Sequence, residues 1–305
     1  MESLPPELLQ LVFGHCSSND LAQILRLNRT FHAVAIQVLY QSIPRLDVVR
    51  STECLTSLCF SPTNAALVKS LAIHWETIFL KDPISHRGTL QTITHFGTFN
   101  ALLRRRILND RFALLHNALK RLRNLTHLTL IVSPRDSRSD AYVPAILNKV
   151  VFQLTSFKTS FIFGRDLAAF LERQPKIEAL VLAAHSRFEL ESPCKPSICP
   201  QLRSLSWAWG DQHDQITALL RGRPVKNASV VLSSQNVEDT VKMLGVVDCP
   251  LESVELTVRD LAPTRNIIPL VLTNLPKLQQ LRLSIPSLPS EVSATLRRFC
   301  PDADE

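Results

Sequence analysis

The sequence predicts an α/β chain: a three-helix start over residues 1–45, then over residues 46–305 a curved solenoid with a parallel sheet on its concave side. Three observations predict it. An apolar strand pattern recurs about every 25 residues, amphipathic helical segments lie between its occurrences, and the first 45 residues hold helical periodicity without strands.

The first helix is expected from a cap at Ser3 to about His15, with Pro5, Pro6 and Glu7 in its first turn. Early prolines lose no intrahelical bond there, and a carboxylate suits the positive end of the helix. Leu8, Leu9, Val12 and Phe13 then share a side. Ser17-Ser18-Asn19-Asp20 interrupts the pattern, and Asp20 is expected to cap a second helix carrying Leu21, Ile24 and Leu25. Thr30 is expected to open a third, with Phe31, Val34, Ala35, Val38 and Leu39 spaced three and four apart, ending between Tyr40 and Ile43 before Pro44. Three helices in some 45 residues bury little surface alone, so their apolar residues need something further to pack against.

These residues, Leu4-Pro5-x-Glu7-Leu8-Leu9-x-x-Val12-Phe13, Asp20-Leu21-x-x-Ile24-Leu25-x-Leu27-x-Arg29-x-Phe31 and Leu39-Tyr40-x-Ser42-Ile43, resemble an F-box across nearly the whole motif in order. Tyr40 stands where many members carry Trp, Asn28 where Cys is common and Cys16 where Leu often ends the first helix. The resemblance implies docking on the Skp-type adaptor of a cullin-RING ubiquitin ligase. It places that adaptor on Leu4, Pro5, Leu8, Leu9, Phe13, Leu21, Leu25, Leu27 and Phe31. The competing reading is an amphipathic cap on the end of a larger domain.

Beyond residue 67 the recurring strand is seen in Leu125-Thr-His-Leu128-Thr-Leu130 and Leu278-Gln-Gln-Leu281-Arg-Leu283. Its middle apolar anchors are Leu71, Leu128, Phe157, Leu180, Leu205, Val230, Val254 and Leu281, at intervals of 57, 29, 23, 25, 25, 24 and 27 residues. Those after the first suit leucine-rich repeats, and the first leaves room for a degenerate repeat or for an irregular insertion at about 76–111. Helical patterns follow at Leu167, Phe170 and Leu171; Ile216, Leu219 and Leu220; Val237, Val241 and Leu244; Ile268, Val271 and Leu272; and Val292, Leu296 and Phe299. Pro175, Pro200, Pro250 and Pro276 stop the preceding helix and turn the chain toward extended geometry. One such unit cannot bury its own apolar face, so neighbours must stack. With Ala66-Leu67-Val68-Lys69-Ser70-Leu71 after the three helices, this part resembles the divergent fungal leucine-rich-repeat F-box proteins.

Of 305 residues 45% are apolar, enough for a substantial core and too many for a disordered chain. No run approaches the roughly 18 apolar residues of a membrane span, and no basic, apolar leader opens the chain, so a cytosolic or nuclear protein is expected. The net charge of +7 is spread out; its densest runs, Arg104-Arg105-Arg106 and Lys120-Arg121-Leu122-Arg123, read as solvated helix faces, which ranks nucleic acid last among partners. Seven glycines form no phosphate-cradling loop. Seven scattered cysteines form no zinc ligand set and have no activating neighbours, so neither a metal nor thiolate chemistry is expected. Gly210-Asp211-Gln212-His213-Asp214 reads as a helix start capped by Asp211, and Trp207 and Trp209 as core.

The expected protein is therefore no enzyme and needs no cofactor. It joins the ligase core at one end and an unidentified protein substrate along its concave sheet. The substrate positions are those flanking the inward leucines, foremost His127, Thr129, Val181, Ser206, Glu255 and Arg282. The alternative is a repeat scaffold outside any ligase, its first helices serving only as a cap.

Overall fold

The computed structural model describes residues 4–75, 110–132, 146–147, 149–183, 194–208, 213–232, 236–247, 249–258, 267–284 and 294–297. The chain divides into two compact units, 1–152 and 153–305.

The first unit opens with α1 (Pro6–Gly14), α2 (Ser18–Ile24) and α3 (Arg29–Gln41). Their starts differ from those expected. Ser3 lies outside the described residues, and Pro5 occupies the α1 cap position without a side-chain bond, leaving Pro6 to begin the helix. Ser17 caps α2, accepting from the Asp20 amide at 3.3 Å while the Asp20 carboxylate accepts from the Ser17 amide at 3.2 Å. This is a reciprocal capping box, and Asp20 is its second member. Asn28, in place of Thr30, caps α3 by accepting the Phe31 amide at 2.8 Å. Leu9, Phe13, Leu21, Val34 and Ala35 form the shared interior, where the Phe13 and Phe31 rings meet edge to face at 5.6 Å.

The chain then forms β1 (Ser42–Ile43), α4 (Val48–Phe60, capped by Asp47), α5 (Pro62–Leu67, capped by Ser61), β2 (Ser70–Trp75), α6 (residues 110–119) and β3 (His127–Val132). Both β1 and β3 pair in parallel with β2, in registers Ile43↔Leu71 and Leu71↔Leu128. β2 and β3 pair directly, so no strand lies between them in the sheet. Of the expected 76–111 segment, 76–109 fall outside the described residues and 110–111 are helical. Leu55 and Leu58 of α4, Ala65 of α5 and Leu115, Ala118 and Leu119 of α6 are buried with the inward side chains of β2 and β3.

The second unit holds β4 (Ser156–Thr159), β5 (Ala179–Leu182), β6 (Ser204–Ala208), β7 (Asn227–Leu232), β8 (Ser253–Val258) and β9 (Gln280–Ser284), with each of β5 to β9 parallel to the strand before it. Between them come α7 (Arg165–Glu172), α8 (His213–Leu220), α9 (Val237–Val246) and α10 (Ile267–Asn274). One inward row runs Phe157, Leu180, Leu205, Ala228, Val254, Leu281. Thus the β7 member of this row is Ala228, two residues before the expected Val230, which faces the same interior but pairs with Trp207 and Leu256. Trp207 is core, as expected, while Trp209 and Asp211 lie outside the described residues.

Three further expectations are corrected here. Pro200 follows a turn and not a described helix. On α10 the buried residues are Ile267 and Val271, with Ile268 and Leu272 left exposed. Leu296, assigned by periodicity to a last helix, lies in β10 (Ala294–Arg297), which pairs antiparallel with β9; Val292 and Phe299 are outside the described residues. Both β9 and β10 offer short extended stretches, so pairing the open strand edge competes with the weak helical period of residues 292–299.

A buried arginine fixes the irregular turn before β6. Arg223 is 3% exposed; it donates to the carbonyls of Lys195 (2.8 Å), Ile198 (2.8 Å), Ala218 (2.6 Å) and Leu219 (2.8 Å). Its fork thereby satisfies the last carbonyls of α8 and ties the turn to them. Gly222, at φ +70°, makes the bend that brings Arg223 back under the helix. Gly245 permits close packing of α9 on α10, since a Cβ there would come within 2.7 Å of the Asn274 carbonyl oxygen.

Candidate functional site

α1 carries apolar residues nearly all round, and the fold buries only Leu9 and Phe13. Leu9 and Phe13 point into the helical interior at 4% and 5% exposure. Leu4, Leu8, Leu11 and Val12 remain exposed, from 47% at Leu8 to 66% at Leu11. Leu8, Leu11 and Val12 fall at i, i+3 and i+4, forming one continuous stripe on the helix. Leu27, in the turn between α2 and α3, is exposed as well. A hydrogen bond from Gln10 Nε2 to Gln37 Oε1 at 2.7 Å holds α1 to α3, and Tyr40 Oη lies 3.2 Å from Ser57 Oγ, joining α3 to α4.

The nine positions expected at the adaptor therefore separate. Leu4, Pro5, Leu8 and Leu27 are exposed. Leu25 and Phe31 are half-buried against the interior. Leu9, Phe13 and Leu21 are buried within it and present no surface, because three short helices must consume their best apolar residues to hold together. Leu11 and Val12 belong to the exposed stripe and were missed among the site positions; the signal was the near-complete apolar circumference of the first helix, more than one buried face requires.

In the first unit, the open sheet face pairs Ser70 with His127, Ala72 with Thr129 and His74 with Ile131. His127 is exposed, with Nδ1 2.9 Å from Thr126 Oγ1, and Thr129 is half-buried. In the second unit the register aligns Lys158, Val181, Ser206, Ser229, Glu255 and Arg282 in one row. Beside it runs a row of Ser156, Ala179, Ser204, Asn227, Ser253 and Gln280. Small, mostly neutral side chains fill the middle, and charge gathers toward β8 and β9. Ala208, which strand alternation after Ser204 and Ser206 places on this face, is buried.

Glu255 is held from both sides: Ser229 Oγ donates to Oε2 at 3.1 Å, and Arg282 Nη1 lies 3.8 Å from Oε1. Glu255 and Arg282 thus pair across neighbouring strands, an exposed ion pair of about 0 to 1 kcal/mol. Just outside the strands, Lys226 Nζ and Glu252 Oε1 make a shorter pair at 2.7 Å.

Burial pushes the Cys54 and Cys194 thiols up to about 11 and Cys199 to about 12. Arg223 beside Cys194 and Cys199 only partly opposes that rise. Such thiols stay protonated near neutrality and make poor nucleophiles. Among the described residues no group of three or more His, Cys, Asp or Glu could hold a metal ion, and no helix is long and apolar enough to cross a membrane. No protein-family model and no curated protein matches the chain.

Proposed function

We propose that the chain is a substrate-recognition adaptor of a Skp-cullin-F-box ubiquitin ligase, with α1 engaging the Skp-type adaptor and the sheet face receiving a protein substrate. The observation that carries this reading is the exposed stripe of Leu8, Leu11 and Val12 on a helix whose other face is already packed. An apolar stripe of this kind on a short amphipathic element is the usual form of a helix-mediated protein contact. The F-box resemblance, which includes Leu8 and Val12 of this stripe, names the partner. The repeating strands, read as a leucine-rich-repeat solenoid, supply a stiff platform, so a bound substrate is held at high effective concentration near a ubiquitin-charged conjugating enzyme.

Lys158, Val181, Ser206, Glu255 and Arg282, with His127 and Thr129 in the first unit, are the proposed substrate positions. Their small, polar surroundings suit a polypeptide laid along the sheet better than a small molecule in a deep cavity.

One observation favours the scaffold alternative: β1, which leaves α3 directly, pairs with β2. The three helices are thus continuous with the sheet, as a simple cap would be. Co-purification of the chain with a Skp-type adaptor separates the two readings. The ligase reading requires capture that Leu8→Ala with Val12→Ala abolishes, whereas a cap gives no capture from either chain.

A further inference from the structure

On the open sheet face of the second unit, charge is confined to one row. That row runs Lys158, Val181, Ser206, Ser229, Glu255, Arg282, one residue from each of β4 to β9. The row beside it, from Ser156 on β4 to Gln280 on β9, and the row from Ala208 on β6 to Ser284 on β9 carry no charged side chain. Within the charged row the three ionic groups are not equivalent. Glu255 is compensated, accepting from Ser229 Oγ at 3.1 Å and lying 3.8 Å from Arg282 Nη1. Lys158 is exposed, and no described carboxylate pairs with it. Arg282, its side chain 53% exposed, meets Glu255 through one nitrogen at that distance, which leaves most of its five N–H donors open.

The row therefore presents an open cation at each end, five strands apart. At about 4.8 Å per strand they stand about 24 Å from one another. The floor between them is low and polar. Among the described residues Ser204, Ser206, Asn227, Ser253 and Gln280 make no side-chain hydrogen bond, so their hydroxyls and amides are open to a backbone laid across the strands. No aromatic ring stands on these rows, and a single-stranded nucleic acid would need rings to stack on. An extended polypeptide advances about 3.3 Å per residue, so about six to eight residues cover the span between the cations. Resting on the reading of this face as the substrate surface, we infer that its substrate is an extended acidic segment lying across β4 to β9, with one carboxylate on Lys158 and a second, about six to eight residues away, on Arg282. Glu255 serves to hold Arg282 over the face.

A random dodecapeptide library displayed on phage and selected on the immobilised full chain tests this. Enriched sequences are expected to carry two acidic residues at that spacing. Synthetic peptides made from them are expected to bind Lys158→Glu and Arg282→Glu about tenfold or more weakly than the wild type, and Lys158→Arg nearly as well as the wild type. Both positions are exposed, and circular dichroism checks that the variants are folded. No enrichment, enrichment without the acidic pair, or peptides that bind the two charge-reversed variants as tightly as the wild type overturns the inference. So does a single-stranded oligothymidylate that binds the wild type and neither variant, which would give the face to nucleic acid. Skp-type adaptor capture by the wild type, measured alongside, reports on α1 alone; a failed selection with capture intact strikes the acidic substrate and leaves the ligase reading standing.

Discussion

Leu8 and Leu9 are adjacent in sequence yet differ in burial on α1, Leu9 4% exposed in the helical interior and Leu8 47% exposed on the outer stripe. The fold and the proposed contact thus draw on different residues of one short helix, and mutations can separate them. Phe13→Ala, which removes a buried ring, should cost about 3 to 5 kcal/mol of stability. Leu8→Ala should change stability by no more than about 0.5 kcal/mol. Urea titrations of both variants check this pair of outcomes.

Arg223→Met should destabilise the second unit by about 3 kcal/mol or more, because it leaves buried carbonyls of the 194–198 turn and of α8 without donors. Arg223→Lys should recover little of the loss: an ammonium cannot reach carbonyls arranged around a planar fork. Thermal melts of the two variants, with wild-type stability for Arg223→Met as the contrary result, decide it.

The thiols of Cys194 and Cys199, pushed up to about 11 and about 12, should resist iodoacetamide at pH 8 in the folded protein and react once it is unfolded in urea. Mass spectrometry of the alkylated peptides reads this directly. Rapid native labelling at either position would contradict the packing described around Arg223.

Exchanging the charges, Glu255→Arg with Arg282→Glu, keeps an opposite pair on neighbouring strands while inverting the field a partner meets. Stability should move by less than about 1 kcal/mol. Affinity capture should then yield an altered set of bound proteins with Skp-type adaptor capture intact. An unchanged set would move substrate recognition away from this end of the sheet.

Much of the strand–helix alternation was legible because leucine at every second strand position and at helical spacing between strands leaves few alternatives. Leu180, Leu205 and Leu281 are all inward, as their pattern demands. The β7 register was not legible, because Ala228 occupies the position where the pattern wants a large residue; Val230, on the same side two residues later, was the natural substitute. Helix caps slipped for a related reason. Ser17 and Asp20 can each cap, and only the closed structure shows that they cap reciprocally. The exposed face of α1 was hidden because apolar periodicity marks which residues cluster, and not which cluster the fold consumes. Pairing of β10 with β9 is a long-range choice that a local helical period cannot reveal.

The central claim is tested most directly by titrating the purified full-length chain against a purified Skp-type adaptor and comparing it with the Leu8→Ala, Val12→Ala variant. Two exposed apolar anchors worth about 2 kcal/mol each predict that the variant binds on the order of a thousandfold more weakly while melting like the wild type. Equal affinity of the two proteins, or no binding by the wild type, would contradict the account.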